Sequence, residues 1–239
     1  SPEGWLLLLR EVERQGLLGV TFPVVERHST RLDIPLNVFL SWEKAAGIIQ
    51  EKNARQLEAE AELHRFFNEN GFRSCILKGQ ASAAYYPHPS LRQSGDIDIW
   101  VEGERQAVLG FLRERFDIRK TRYIHTNVKM VKGVTVEVHF TPSWMFSPFA
   151  NRRLQRWFAR CSGEQFSHWD ARLGVCVPTL RFNGAYMLLH IYRHLLEEGV
   201  GLRQVMDYFY LLRAMGAEDR QAVVRDLRHL HLYRFCGAL

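Results

Sequence analysis

The chain has 239 residues, 46% of them hydrophobic, which is enough for one sizeable core or two modest ones, and no apolar run reaches the ~18–20 residues of a membrane-crossing helix. Its formal charge of +6 suits a nucleic acid or a polyanionic small molecule, but the basic residues are spread along the chain, with mild concentrations in 113–122 and 152–160 and no nucleic-acid-binding motif. Cys75, Cys161, Cys176 and Cys236 form no CxxC pair and no zinc spacing, and there is no signal-peptide pattern, so the expectation is a reduced, cytoplasmic protein with free thiols and no membrane association.

Taken in order, residues 4–19 show helical spacing of apolar positions with Gly19 as the stop, and a stretch punctuated by Pro23 and Pro35 follows. Residues 41–70 read as a long helix with Ser41 as N-cap and Gly71 at its end. Its charged middle (Glu51, Lys52, Arg55, Glu58, Glu60, Glu62) reads as an exposed face with i,i+4 pairs. A short strand at 74–77 leads through Lys78-Gly79 to a short helix at 80–86, stopped by Pro87 and Pro89. Residues 95–101 form a strand, 104–116 a helix, and 117–124 and 126–131 two further strands. Val134 to Phe140 alternates apolar residues with Thr135, Glu137 and His139, as a half-buried strand does. Residues 143–178 look linker-like, and 179–198, 202–215 and 218–229 read as helices, the first capped by Thr179.

Two aspartates carry the chemistry. In Gly95-Asp96-Ile97-Asp98-Ile99, strand alternation puts Asp96, Asp98 and Trp100 on one face and Ile97, Ile99 and Val101 on the other. Two carboxylates held that close repel unless a cation or a proton intervenes. A solvated edge-strand face would show the same pattern. Glu137 lies on a later strand with the same alternation, and three acids on one polar face make an oxygen-rich site of the kind Mg2+ takes with phosphates. Lys78-Gly79 stands between a strand and a helix start, where backbone N–H groups favour phosphate, with Ser82, Arg92 and Ser94 close by in sequence. His139 shares the face of Glu137, either as its partner or as a solvated residue. His190 and His194 read as packing between helices, Tyr85 and Tyr86 as packing, and Arg203 with Asp207 as an i,i+4 surface pair.

The ordered set of Leu77-Lys78-Gly79, Tyr85-Tyr86-Pro87, Arg92, Gly95 through Ile99, His190, and Gly201 through Asp207 resembles the nucleotidyltransferase superfamily of the DNA polymerase β type. Within it, the chain resembles the bacterial branch of uncharacterised nucleotidyltransferases, over roughly residues 40–230. The resemblance implies an α+β fold: a small mixed β-sheet nucleotidyltransferase core at 73–142 with flanking helices, an N-terminal helical segment at 1–72 and a C-terminal helical region at 179–239. It implies metal-dependent transfer of a nucleoside monophosphate from an NTP to a hydroxyl of a small molecule, a protein or an RNA. Asp96, Asp98 and Glu137 would be the catalytic, metal-binding acids for Mg2+ or Mn2+, and Glu137 would help deprotonate the acceptor. Lys78, Gly79 and Arg92 would line the nucleotide phosphates, with Ser82 and Ser94 beside them. The turn departs from the usual Gly-Gly or Gly-Ser, since Gln80 follows Gly79. A non-catalytic nucleotide-binding or scaffold protein on the same fold is the alternative.

Overall fold

The computed structural model describes residues 1–118, 121–131 and 134–239. Four strands form the central sheet: β1 (Ser74–Ile76), β2 (Ile97–Val101), β3 (His125–Val131) and β4 (Val134–His139), in the order β1-β2-β4-β3. β2 and β4 run parallel, and the two outer pairings are antiparallel, so the sheet is mixed and the fold is α+β. Of the segment 117–124, residues 119 and 120 lie outside the described set. Thr121 makes an isolated bridge to Thr126 there rather than extending a strand.

The apolar alternates of β2 and β4 (Ile97, Ile99, Val101, Val136, Val138) build one core with Ala59, Leu63 and Phe67 of α3 (Leu36–Glu69) and Val108 and Leu112 of α5 (Arg105–Arg113). On the opposite side Trp100 enters a second core with Phe158 of α6 (Pro148–Gln165) and Phe182 and Tyr186 of α7 (Leu180–Glu197). The remaining helices of that region are α8 (Leu202–Ala214), α9 (Ala217–His229) and the short α10 (Tyr233–Cys236). The segment 143–178 therefore departs from its linker-like reading. It holds α6 and the hairpin of β5 (Trp169–Asp170) and β6 (Val175–Cys176), and Leu154, Trp157 and Val175 are fully buried or nearly so. Its tryptophan and phenylalanine content is core-forming, and the prolines only set its ends.

Two boundaries near the N-terminus also differ. The first helix is α1 (Pro2–Arg14), and Gly19 lies inside α2 (Leu18–Arg27) instead of stopping a helix. Glycine is required there for closeness, because a Cβ would meet the Leu91 carbonyl oxygen. α3 begins before Ser41, whose hydroxyl donates to the Asn37 carbonyl within the helix. On α3 the charged middle is exposed as expected at Glu51, Lys52, Arg55, Glu58 and Glu62, and Glu60 is the exception. Asn53, Gln56 and Glu60 are buried, and with Lys52 they make a polar stripe at helical spacing. Lys52 donates to the Ser94 carbonyl, Asn53 to those of Ser90 and Arg92, and Gln56 to that of Gly95. Residues 90–95 have no sheet ladder, so their carbonyls take side-chain donors from α3, and this fixes the approach to Asp96 and Asp98.

Candidate active site

The site is a consequence of strand register. Parallel pairing sets Asp98 beside Glu137 and Trp100 beside His139. Antiparallel pairing sets His125 beside His139 and Asn127 beside Glu137. The polar alternates of three strands thus share one face, below α7. Asp98, His125, Glu137 and His139 line a cavity of about 400 Å3. Of the residues expected from sequence, Lys78, Gly79, Ser82, Arg92, Asp96, Asp98 and Glu137 all reach its wall. Ser94 does not; it is buried, and its hydroxyl accepts from Arg92 and Gln80.

Asp98 is the electrostatic centre. Lys78 Nζ and His139 Nε2 each lie 3.0 Å from its Oδ1. Burial alone would raise its pKa, but Lys78 and His139 outweigh that and hold it well below the usual carboxylate range. His139 is buried too, which favours the neutral ring, yet its carboxylate neighbours Asp98 and Glu137 raise its pKa above the ordinary value. Glu137 is pushed up by burial and pulled down further by His139, so it is ionised at neutral pH. Asp96 is exposed at the mouth, just before β2, and its pKa is raised by partial burial and then by Glu137 and Asp98. That mutual repulsion among oxygen donors is what a hard divalent cation relieves, so the donor set of Asp96, Asp98 and Glu137 fits Mg2+ or Mn2+.

Arg92 is placed otherwise than a phosphate ligand would be. Its Nε and Nη2 donate to the two carboxylate oxygens of Asp207 at 2.6 and 2.7 Å, and its Nη1 donates to the Gly79 carbonyl and Ser94 Oγ. Tyr86 also donates to Asp207 Oδ1, at 2.7 Å. Asp207 is therefore not the surface partner of Arg203, which instead donates to the Gln93 carbonyl. Arg92 and Asp207 form a buried bidentate tie that docks α8 against the loop before β2.

The turn after β1 has its own device. Gly79 adopts φ +69°, and a Cβ on it would come within 2.6 Å of Glu60 Oε1. The same oxygen accepts from the Gln80 backbone N–H, so a carboxyl group from α3 occupies the start of the short helix α4 (Gln80–Ala83). Burial pushes the Glu60 carboxyl up to about 8.

The histidines contribute more to the cavity than their spacing in sequence predicts. His190 and His194, taken as packing, both line the cavity with ring centroids 4.3 Å apart. Burial, and then Lys78, holds His190 well below the ordinary histidine value. His125 joins them on the cavity wall, one residue before the strand expected at 126–131. The alternation of His125 and Asn127 with Thr126 and Val128 was the signal that could have found it.

A family model described as uncharacterised nucleotidyltransferase matches residues 1–239. No curated protein matches the chain. Among solved structures, an antigenic nucleotidyltransferase-like protein from Paracoccidioides brasiliensis is similar at 13% identity and a TM-score of 0.43, over 73% of this chain and 88% of that one.

Proposed function

The chain belongs to the family of uncharacterised nucleotidyltransferases, and from that membership we propose that it moves a nucleoside monophosphate from an NTP to a hydroxyl acceptor and releases pyrophosphate. The observation that carries the reading is the register of β2 and β4, which sets Asp98 beside Glu137 with Asp96 at the same cavity mouth. In this reading Asp96, Asp98 and Glu137 would hold a divalent cation, which when bound supplies charge neutralisation for the phosphates.

The chain's own residues bind and orient. Lys78, Arg122, Arg193 and Arg203 give the cavity wall the positive charge a triphosphate needs. Lys78 stands closest to the acids, while Arg92 acts as a positioning residue through Asp207. The acceptor oxygen attacks the α-phosphorus, the bond to the β-phosphate oxygen breaks, and pyrophosphate leaves. The acceptor proton passes to the Glu137 carboxylate, which is ionised at neutral pH.

The test is the double variant Asp96→Asn, Asp98→Asn, assayed with labelled NTPs, Mg2+ or Mn2+ and cell extract as the acceptor source. Turnover should fall by about 10^3-fold or more while the circular dichroism spectrum is unchanged. A double variant as active as the parent refutes the assignment. Tight NTP binding by the parent with no pyrophosphate release would favour a non-catalytic nucleotide-binding protein.

A further inference from the structure

We propose that His125, Glu137 and His139 form a binding site for a Zn2+-class divalent cation, which shares Glu137 with the all-oxygen set of Asp96, Asp98 and Glu137 and therefore withdraws that carboxylate from it when occupied. The three residues each offer a ligand atom, and these atoms all lie within 4.8 Å of one another. Glu137 Oε2 is the pivot: His125 Nδ1 lies 3.4 Å from it and His139 Nε2 3.6 Å from it. Two ligands about 2.0–2.1 Å from one ion at the tetrahedral angle stand about 3.3–3.4 Å apart. The two separations from Glu137 are thus close to a tetrahedral edge and longer than a well-formed N–H···O bond, and the edge between the two imidazoles is within 4.8 Å.

The burial pattern agrees. His125 and His139 are 7% and 3% exposed, and His125 Nδ1, the atom nearest Glu137, is buried with no hydrogen-bond partner. An imidazole nitrogen left bare in a buried site is costly unless something occupies it. All three ligands stand on the paired strands β3 and β4, so their spacing is set by the sheet and not by a loop. Two imidazoles and one carboxylate suit Zn2+ and disfavour Mg2+, which takes oxygen. Three protein ligands leave a fourth position open toward the cavity. Ligation through His139 Nε2 replaces its hydrogen bond to Asp98, which keeps its ion pair with Lys78.

The proposal does not depend on nucleotidyl transfer and is tested without nucleotide. Metal-free protein is titrated with Zn2+ by calorimetry, and with Co2+ by visible absorption, in millimolar Mg2+. The expected result is one equivalent bound, not displaced by Mg2+. His125→Ala should weaken binding by about tenfold or more, and His194→Ala should leave it unchanged. The His194 variant matters because His190 and His194 are the other imidazole pair on the cavity wall. No stoichiometric uptake, displacement by Mg2+, survival of binding in His125→Ala, or its loss in His194→Ala would each overturn the proposal. Should His125→Ala not fold, 1H–15N spectra of the unaltered protein decide. Zn2+ must then shift the ring nitrogens of His125 and His139, and a shift confined to His190 and His194, or none, refutes the site.

Discussion

On β2, Ile97, Ile99 and Val101 point to one side of the sheet and Asp98 and Trp100 to the other; on β4, Val136 and Val138 oppose Glu137 and His139. The first side is a dry interface with α3 and α5, built from apolar residues that are fully buried. The second side sets the Asp98 and Glu137 carboxylates and the His139 imidazole around one cavity. The same five- and six-residue strands supply both. Each apolar alternate fixes the height and direction of its polar neighbour, and a slip of one residue would exchange the two sets. Charges that repel are therefore held near one another by packing on the far side of the sheet, where β2 and β4 present apolar residues alone.

If the polar side depends on internal ties and the dry side on packing, different substitutions should break each. The largest effect is expected for Arg92→Ala. It leaves Asp207 buried without its bidentate partner, and removing one member of a buried pair costs about 3–5 kcal/mol. Urea unfolding measures that loss, and replacing both residues by apolar ones should recover most of it. If Arg92→Ala shifts the urea midpoint little, the tie does not dock α8. Next is Ile99→Ala on the dry side, which should cost about 2–5 kcal/mol through lost burial and the cavity left behind. Its signature is separation of effects: stability falls, while the fraction that remains folded binds Zn2+ and NTP as the parent does. Altered ligand affinity in the folded fraction would mean that the two sides are not mechanically independent.

The sequence made much of this legible where period alone decides. Alternation in Ile97 to Val101 and in Val134 to His139 identified both strands and both faces, because one apolar face leaves a regular pattern. It failed where polar residues are buried by tertiary contact. Glu60 reads as part of an exposed charged helix face, yet it is buried in line with Asn53 and Gln56, and nothing local shows that residues 90–95 lie against that stripe. Arg203 and Asp207 satisfy the i,i+4 rule, but the actual partner of Asp207 is Arg92, 115 residues away. The segment 143–178 looks linker-like in sequence, while its Phe158 and Trp157 pack on Trp100 and Phe182, partners that lie far away in the chain or outside the segment. Local pattern reports the face of an element and says little about which distant backbone that face will serve.

Glu60 is the place where the comparison can be sharpened most, since it is an acid on the helix that lines the dry side. Its neighbours on α3, Ala59 and Leu63, belong to the apolar core, while its Oε1 caps Gln80 under the Lys78-Gly79 turn. Its Oε2 is buried with no hydrogen-bond partner. Burial raises its carboxyl from an ordinary 4.5 to about 8, so the folded protein holds a proton there that the unfolded chain releases. Between those two values the folded state binds the extra proton, so stability falls as pH rises through the window and levels off above it. The loss should be about 2 kcal/mol between about pH 6 and pH 8. Glu60→Gln keeps an acceptor for Gln80 and cannot ionise, so its urea midpoint should lose this part of the pH dependence and exceed that of the parent most clearly above pH 8. If parent and variant show the same slope across the window, Glu60 is ionised in the folded protein. A charge then sits on the dry-side helix, and the division between the two sides of the sheet does not extend to α3.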